Sequence, residues 1–217
     1  MFDRLNAICE FIHPYTKIAD IGCDHGYLIK FAKDKYNIDL AYAIDNKIGP
    51  LSSAKDNLKD YDNITYFLSD GLSDVDENIE CIIISGMGGL LIKDIINDNL
   101  EKAKKAKRII IEANRDESII RKYLLFNGFI IENEKIIKER NHYYEIDSFK
   151  YEGNDYKYSD EEILFGPILL KQKSDEFIRK WQSVYHKLSN IDYDLLSDDK
   201  KVLLKGLKKI LWKLVML

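Results

Sequence analysis

Lys17-Ile18-Ala19-Asp20-Ile21-Gly22-Cys23-Asp24-His25-Gly26-Tyr27-Leu28 is the stretch whose reading decides the fold. A short apolar run ends in a glycine turn, and a helical pattern from 26 to 36 follows at once. Strand, tight turn and helix in that order form the unit at which α/β sheets bind ligands, outside the carboxyl ends of their strands. Gly22 lets the backbone turn and approach a ligand with no Cβ in the way. Asp20 and Asp24 flank the glycine two residues to either side. They would repel a pyrophosphate, and they suit a ligand carrying an ammonium, a sulfonium and ribose hydroxyls. The Gly-x-Gly-x-x-Gly fingerprint of a nicotinamide dehydrogenase is missing.

Working outward, further apolar runs rich in Ile, Tyr and Phe lie at 40–44, 64–68, 80–85 and 108–113. Helical patterns at 50–59, 90–106 and 115–126 separate or follow them, the last stopped by Asn127-Gly128. This alternation predicts a doubly wound α/β domain, a parallel sheet with crossover helices on both faces. The runs at 128–137 and 141–150 are joined by Glu139-Arg140-Asn141, too short for a crossover, so they should close the sheet as an antiparallel hairpin. Seven strands result, a Rossmann-like methyltransferase sheet rather than a purely parallel dinucleotide-binding one. Residues 2–12 carry Leu5, Ile8, Cys9 and Ile12 at helical spacing, an amphipathic lead-in.

After Glu152-Gly153-Asn154-Asp155, a polar linker, come two long helical patterns. Phe177, Trp181, Val184, Tyr185 and Leu188 stripe the first, and Leu203, Leu207, Ile210, Leu211 and Leu214 the second, with a break at Ser189-Asn190. The expectation is a ligand-binding domain over 1–152 and a helical-hairpin arm over 153–217.

Three more strand ends carry chemistry. Asp45-Asn46 follows the second strand about 20 residues beyond the glycine turn, the spacing at which a carboxylate meets adenosine ribose hydroxyls. Ser69-Asp70-Gly71-Leu72 follows the third and offers an acceptor for an adenine amino group. Any one aspartate after a strand can be a helix cap or a turn residue; three at successive strand ends point to a nucleoside-like cofactor. Ser85-Gly86-Met87-Gly88-Gly89 ends the fourth strand in small residues, leaving room for a substrate. The Asn/Asp-Pro-Pro-aromatic tetrapeptide of exocyclic-amine methyltransferases is absent there, which favours a target already nucleophilic through a lone pair.

Composition bounds the reading. The 217 residues are 46% hydrophobic and 32% charged, enough to bury a full core. Asn, Lys, Ile and Tyr are abundant and Pro numbers 3, an AT-rich genome's usage, so a single Lys or Asn carries little weight. Cys9, Cys23 and Cys81 form no Cys-x-x-Cys pair, so neither a disulfide framework nor a zinc site is expected and a reducing cytoplasm fits. No basic-then-apolar leader or transmembrane run is visible. The net charge of -4 does not draw the whole molecule to nucleic acid, so any such affinity needs a local patch.

Taken together, 20–28, Asp45-Asn46-Lys47 with Gly49-Pro50, Ser69-Asp70-Gly71-Leu72, Ser85-Gly86-Met87-Gly88-Gly89 and Tyr144-Glu145-Ile146 resemble, in order, the bacterial tRNA (adenine-22-N1)-methyltransferase family. The resemblance implies S-adenosylmethionine as donor and N1 of adenine 22 in tRNA as acceptor. Where that family commonly has Gln-Pro-Asn after the fifth strand, this chain has Glu112-Ala113-Asn114. The expected cofactor residues are Asp20, Gly22, Asp24, His25, Asp45, Asn46, Asp70, Gly71, Gly86 and Met87; Asp24 and Asn114 are the expected catalytic residues, and no metal is expected. Adenine N1 needs no base before it attacks, so Asp24, with His25 beside it, is the candidate to stabilise developing charge, and Asn114 and the Gly86 turn to surround the base. For tRNA, the last helix offers lysines 200, 201, 205, 208, 209 and 213, and Lys102, Lys104, Lys105, Lys107 and Arg108 form a second basic cluster. No membrane and no obligate protein partner are expected. A small-molecule methyltransferase and a non-catalytic RNA-binding module on the same fold are the competing readings.

Overall fold

In the computed structural model, which describes residues 3–153 and 157–215 (the last three as backbone only), the five apolar runs form parallel strands. They are β1 (Lys17–Ile21), β2 (Leu40–Asp45), β3 (Ile64–Leu68), β4 (Cys81–Gly88) and β5 (Arg108–Arg115). The hairpin is β6 (Phe129–Glu139) with β7 (His142–Tyr151), and the sheet order is β3-β2-β1-β4-β5-β7-β6. β7 is antiparallel to both neighbours. The order reverses between β1 and β4, and a crevice forms at the carboxyl ends of strands wherever crossovers depart to opposite faces like this.

The central strands read as unbroken apolar runs because both faces are covered. On one face α1 (Asp3–Glu10), α2 (Tyr27–Lys35) and α3 (Ile48–Asn57) bury Ile8, Leu28, Ile29 and Leu51 against Ile18, Ala41 and Ile83. On the other, α4 (Gly89–Asp98), α5 (Leu100–Lys105) and α6 (Glu117–Phe126) bury Ile92, Ile96, Ala103 and Leu124 against Ile82, Ile84 and Ile109. Cys9, Cys23 and Cys81 are free thiols within these layers, and burial pushes all three up from the usual thiol range.

α6 is tied to the hairpin by charge. Arg121, wholly buried, donates from one nitrogen to Glu145 at 2.9 Å and to Asp147 at 2.8 Å, and its Nε lies 3.3 Å from Glu134. Burial pushes Asp147 up to about 6 even beside the guanidinium.

Several boundaries differ from the sequence reading for local reasons. The expected helix at 90–106 divides at Asn99, whose extended φ of -136° separates α4 from α5. α3 begins at Ile48, placing Pro50 in the first turn, where its missing N–H costs nothing. The hairpin turn is only Arg140-Asn141, with φ 48° and 68°, the paired left-handed conformation that matches strand twist. β4 does not end at Ser85. It runs on to Gly88 with register shifts on either side of Met87, a bulge that Gly86 permits at φ 77°.

Residues Ser159–Leu217 form a second compact unit, the first being Met1–Tyr158. Besides the two expected helices, α9 (Asp175–Ser189) and α10 (Asp198–Val215), it contains α7 (Asp160–Phe165) and α8 (Pro167–Gln172), and a 3-10 turn at Tyr193–Leu195. α7 opens with a capping box between Ser159 and Glu162, a signature readable in the sequence that the long-helix pattern had overshadowed. Phe165, Phe177 and Trp181 meet edge to face, and Leu204, Leu207 and Ile210 supply the buried stripe of α10. Asn154 and Asp155 of the expected linker, and the side chains of Lys213 and Leu214, lie outside the described residues.

Candidate active site

A cleft of about 610 Å³ opens where the sheet order reverses. Its wall is drawn from five strand ends: Asp20 in β1 with Gly22, Cys23 and Asp24 after it, Asp45 and Asn46 at β2, Ser69 and Asp70 after β3, Ser85, Gly86 and Met87 in β4, and Asn114 in β5. Glycine at 22 suits the backbone, whose φ is 75°; an added Cβ would also stand 2.1 Å from Cε of Met87 and push that flexible side chain aside.

The turn after β1 is wired before any ligand arrives. The amides of Gly22 and Cys23 both donate to the carbonyl of Ile44, at 2.8 and 2.9 Å. Asp45 accepts from the Asp24 amide at 3.1 Å on one carboxylate oxygen and from the Lys47 amide at 2.9 Å on the other, so its orientation is fixed from both sides. Asp20 is buried at the floor; burial, then Asp45 and Asp24, pushes its carboxyl up to about 7. Asp24 sits at the rim with its side chain 69% exposed, in the left-handed region at φ 49°, and Nε2 of His25 lies 3.6 Å from Oδ1 of Asp24. Asn57 holds the carbonyl of His25 at 3.0 Å.

Of the expected residues, Gly71 alone does not reach the wall. It is buried, packed against Ile95, and supports the wall from behind. Two residues outside the expected set bear on the cleft, Arg4 from its wall and Glu112 from behind it. Arg4 of α1 lines the cleft, and its guanidinium lies 3.1 Å from Oε2 of Glu112. The signal for Glu112 was an acid inside the apolar run Ile109-Ile110-Ile111-Glu112-Ala113; for Arg4 there was none, since only the fold brings α1 there. The bulged Gly86 is held by both neighbours on β5: its N–H donates to Glu112 at 3.1 Å, and its carbonyl accepts Nδ2 of Asn114 at 2.6 Å.

A family profile described as tRNA (adenine(22)-N(1))-methyltransferase matches residues 18–214. The chain belongs to that family. The family's relative in Bacillus subtilis (strain 168), itself named tRNA (adenine(22)-N(1))-methyltransferase, is 30% identical over 201 residues, 86% of this chain and 84% of its own length. Two solved structures carry the cofactor or its product. Sp1610 of Streptococcus pneumoniae, in complex with S-adenosyl-L-methionine, is 30% identical with a TM-score of 0.86, covering 96% of this chain and 98% of that one. TrmK of M. capricolum, in complex with S-adenosyl-homocysteine, is 26% identical with a TM-score of 0.81, covering 97% and 96%. The family's expected seven-stranded Rossmann-like sheet with its antiparallel closing hairpin is the sheet found here. Among the described residues no group of three or more His, Cys, Asp or Glu side chains could hold a metal ion.

The basic segments divide. Lys102 donates to the carbonyl of Ser73, while Lys104 pairs with Glu101, Lys105 with Glu77, Lys107 with Glu80 and Arg108 with Glu132. That second cluster has its partners within the first unit, and Arg108 stands at the amino end of β5. On α10, Lys209 pairs with Glu161, whereas Lys201, Lys205 and Lys208 share one face with Trp212, which is 70% exposed.

Proposed function

We infer that this protein transfers the methyl group of S-adenosyl-L-methionine to N1 of adenine 22 in tRNA. The observation that carries the inference is the family match over nearly the whole chain, joined to an acidic cleft at the sheet's switch point. The donor set fits the cofactor: carboxylates at three strand ends, and a turn closed by a glycine in the left-handed region. When bound, S-adenosyl-L-methionine supplies an electrophilic methyl group on a sulfonium.

The chain's own residues do the rest. Asp45, preset by two amides, would accept from ribose hydroxyls, Asp70 would accept from the adenine amino group, and Asp20 and the Gly22 turn would hold the amino-acid end, with Asn46, His25 and Met87 beside them. N1 lies on the Watson-Crick edge, so the target base must leave its stack to enter. Gly86 and Asn114 receive it, and with Nδ2 engaged by Gly86, Asn114 offers Oδ1 to a base N–H. N1 attacks with an in-plane lone pair, and no proton has to be removed first. Asp24 at the rim, with His25, stabilises the positive charge that develops on the ring.

The first unit is then the cofactor domain, and the second presents the lysine face of α10 to tRNA phosphates. No helix among the described residues is long and apolar enough to cross a membrane, and a tRNA substrate supports a cytoplasmic location. Incubation with the donor and unmodified tRNA should yield N1-methyladenosine by mass spectrometry, and tRNA with another base at position 22 should yield none. Equal methylation of both would sink the site assignment.

A further inference from the structure

The wall of the cleft next to the methyl-accepting position hides a carboxylate that neither the cofactor nor the base accounts for. Glu112 is wholly buried. Its Oε2 takes two donors, the guanidinium of Arg4 and the N–H of Gly86, each at 3.1 Å. Its Oε1 is equally buried and has no hydrogen-bond partner among the described residues. Arg4, whose side chain is 28% exposed, runs from Glu112 along the cleft wall to the face of Tyr144, 5.3 Å from the ring centre.

A side chain needed only to cap the Gly86 N–H requires no charge. Burying one with an unfilled acceptor is costly, more so for an ion than for a neutral group. We propose that Glu112 and Arg4 are the positioning pair of the methyl-transfer site, the ionised carboxylate fixing the bulged Gly86 backbone and holding Arg4 along the wall where the target base is received. This rests on the reading above that the base enters at Gly86 and Asn114.

The geometry ties the pair to its charge state. A proton on Glu112 has to sit on one of two oxygens: at Oε2 it displaces a donor, and at Oε1 it points at no acceptor. Either way the carboxylate's charge is lost, and the bond that holds Arg4 is weakened from an ion pair to a single charged donor on a neutral acceptor. Burial raises the carboxyl, Arg4 and the Gly86 N–H oppose it, and Glu117 of α6 adds to the rise, for a result of about 7. The working form therefore prevails above neutrality and gives way below it.

The test is kcat for methylation of unmodified tRNA, at saturating donor and tRNA, as a function of pH for wild type, Glu112→Gln and Arg4→Gln, with donor affinity and thermal unfolding measured on each. Wild-type kcat should rise as pH passes about 7. Glu112→Gln, locked in the neutral state, should be flat at the low-pH level of wild type, roughly tenfold or more below its plateau. Arg4→Gln should move the rise to higher pH, because the unpaired carboxylate holds its proton more tightly. Donor affinity should change little in either variant, which a general loosening of the fold would not allow. A Glu112→Gln protein with the wild-type plateau, or with the same rise, which would then belong to Asp20, overturns the proposal. So does an Arg4→Gln protein whose rise stays in place, and this variant decides the matter if Glu112→Gln does not fold. Absence of methyl transfer by the wild type defeats the functional reading itself.

Discussion

Asp24 is the residue whose replacement says most about how the reaction is helped. It stands at the rim, exposed, with its amide rather than its carboxylate engaged by Asp45. Asp24→Asn should therefore lower kcat by roughly 10²-fold, while donor affinity, read by calorimetry, moves by less than about 1.4 kcal/mol. Loss of donor binding with kcat intact would make Asp24 a ligand to the cofactor instead. At this scale the sequence was legible wherever chemistry sits at a strand end, because the strand itself delivers the side chain: Asp20, Asp45, Asp70 and Asn114 all reach the cleft. It was not legible for Arg4, separated from Glu112 by 108 positions, since their meeting depends on how α1 packs. Gly71 shows the converse, a motif residue that stays adjacent to the site in sequence while Ser69 and Asp70 before it line the cleft.

Among elements, α6 and the closing hairpin depend on each other through Arg121. Arg121→Met leaves Glu134, Glu145 and Asp147 buried without their cation. Removing one partner of a buried charge cluster typically costs about 3–5 kcal/mol, and urea unfolding should show a loss of that order; an unchanged midpoint would mean the cluster is not under electrostatic tension. Period and turn chemistry made the strands and the hairpin readable. Two things escaped. The bulge in β4 depends on hydrogen bonds to Glu112 and Asn114, which lie on another strand, and α7 and α8 are each only 6 residues long, too short for periodicity to register.

For the whole molecule the open question is how a protein of net charge -4 holds an anionic substrate. Acidic partners offset most of the cluster around Lys102–Arg108, and the lysine face of α10 is the surface to test. Replacing Lys201, Lys205 and Lys208 together by Gln should weaken tRNA binding and reduce the slope of log K against log salt by about 0.9 for each phosphate no longer neutralised. A slope equal to wild type would place the phosphate-binding surface elsewhere. The three buried thiols lend the protein one more property, a chemical clock of its own breathing. A thiol alkylates only as an exposed thiolate, so Cys9, Cys23 and Cys81 stay silent until the chain opens around them. Cys81 begins a central strand and reports opening of the sheet, whereas Cys23 lies in the glycine turn on the cleft wall and reports local opening there. Mass-resolved alkylation should label Cys23 ahead of Cys81, and saturating donor should widen that interval; simultaneous labelling would mean that the turn opens only when the whole sheet does.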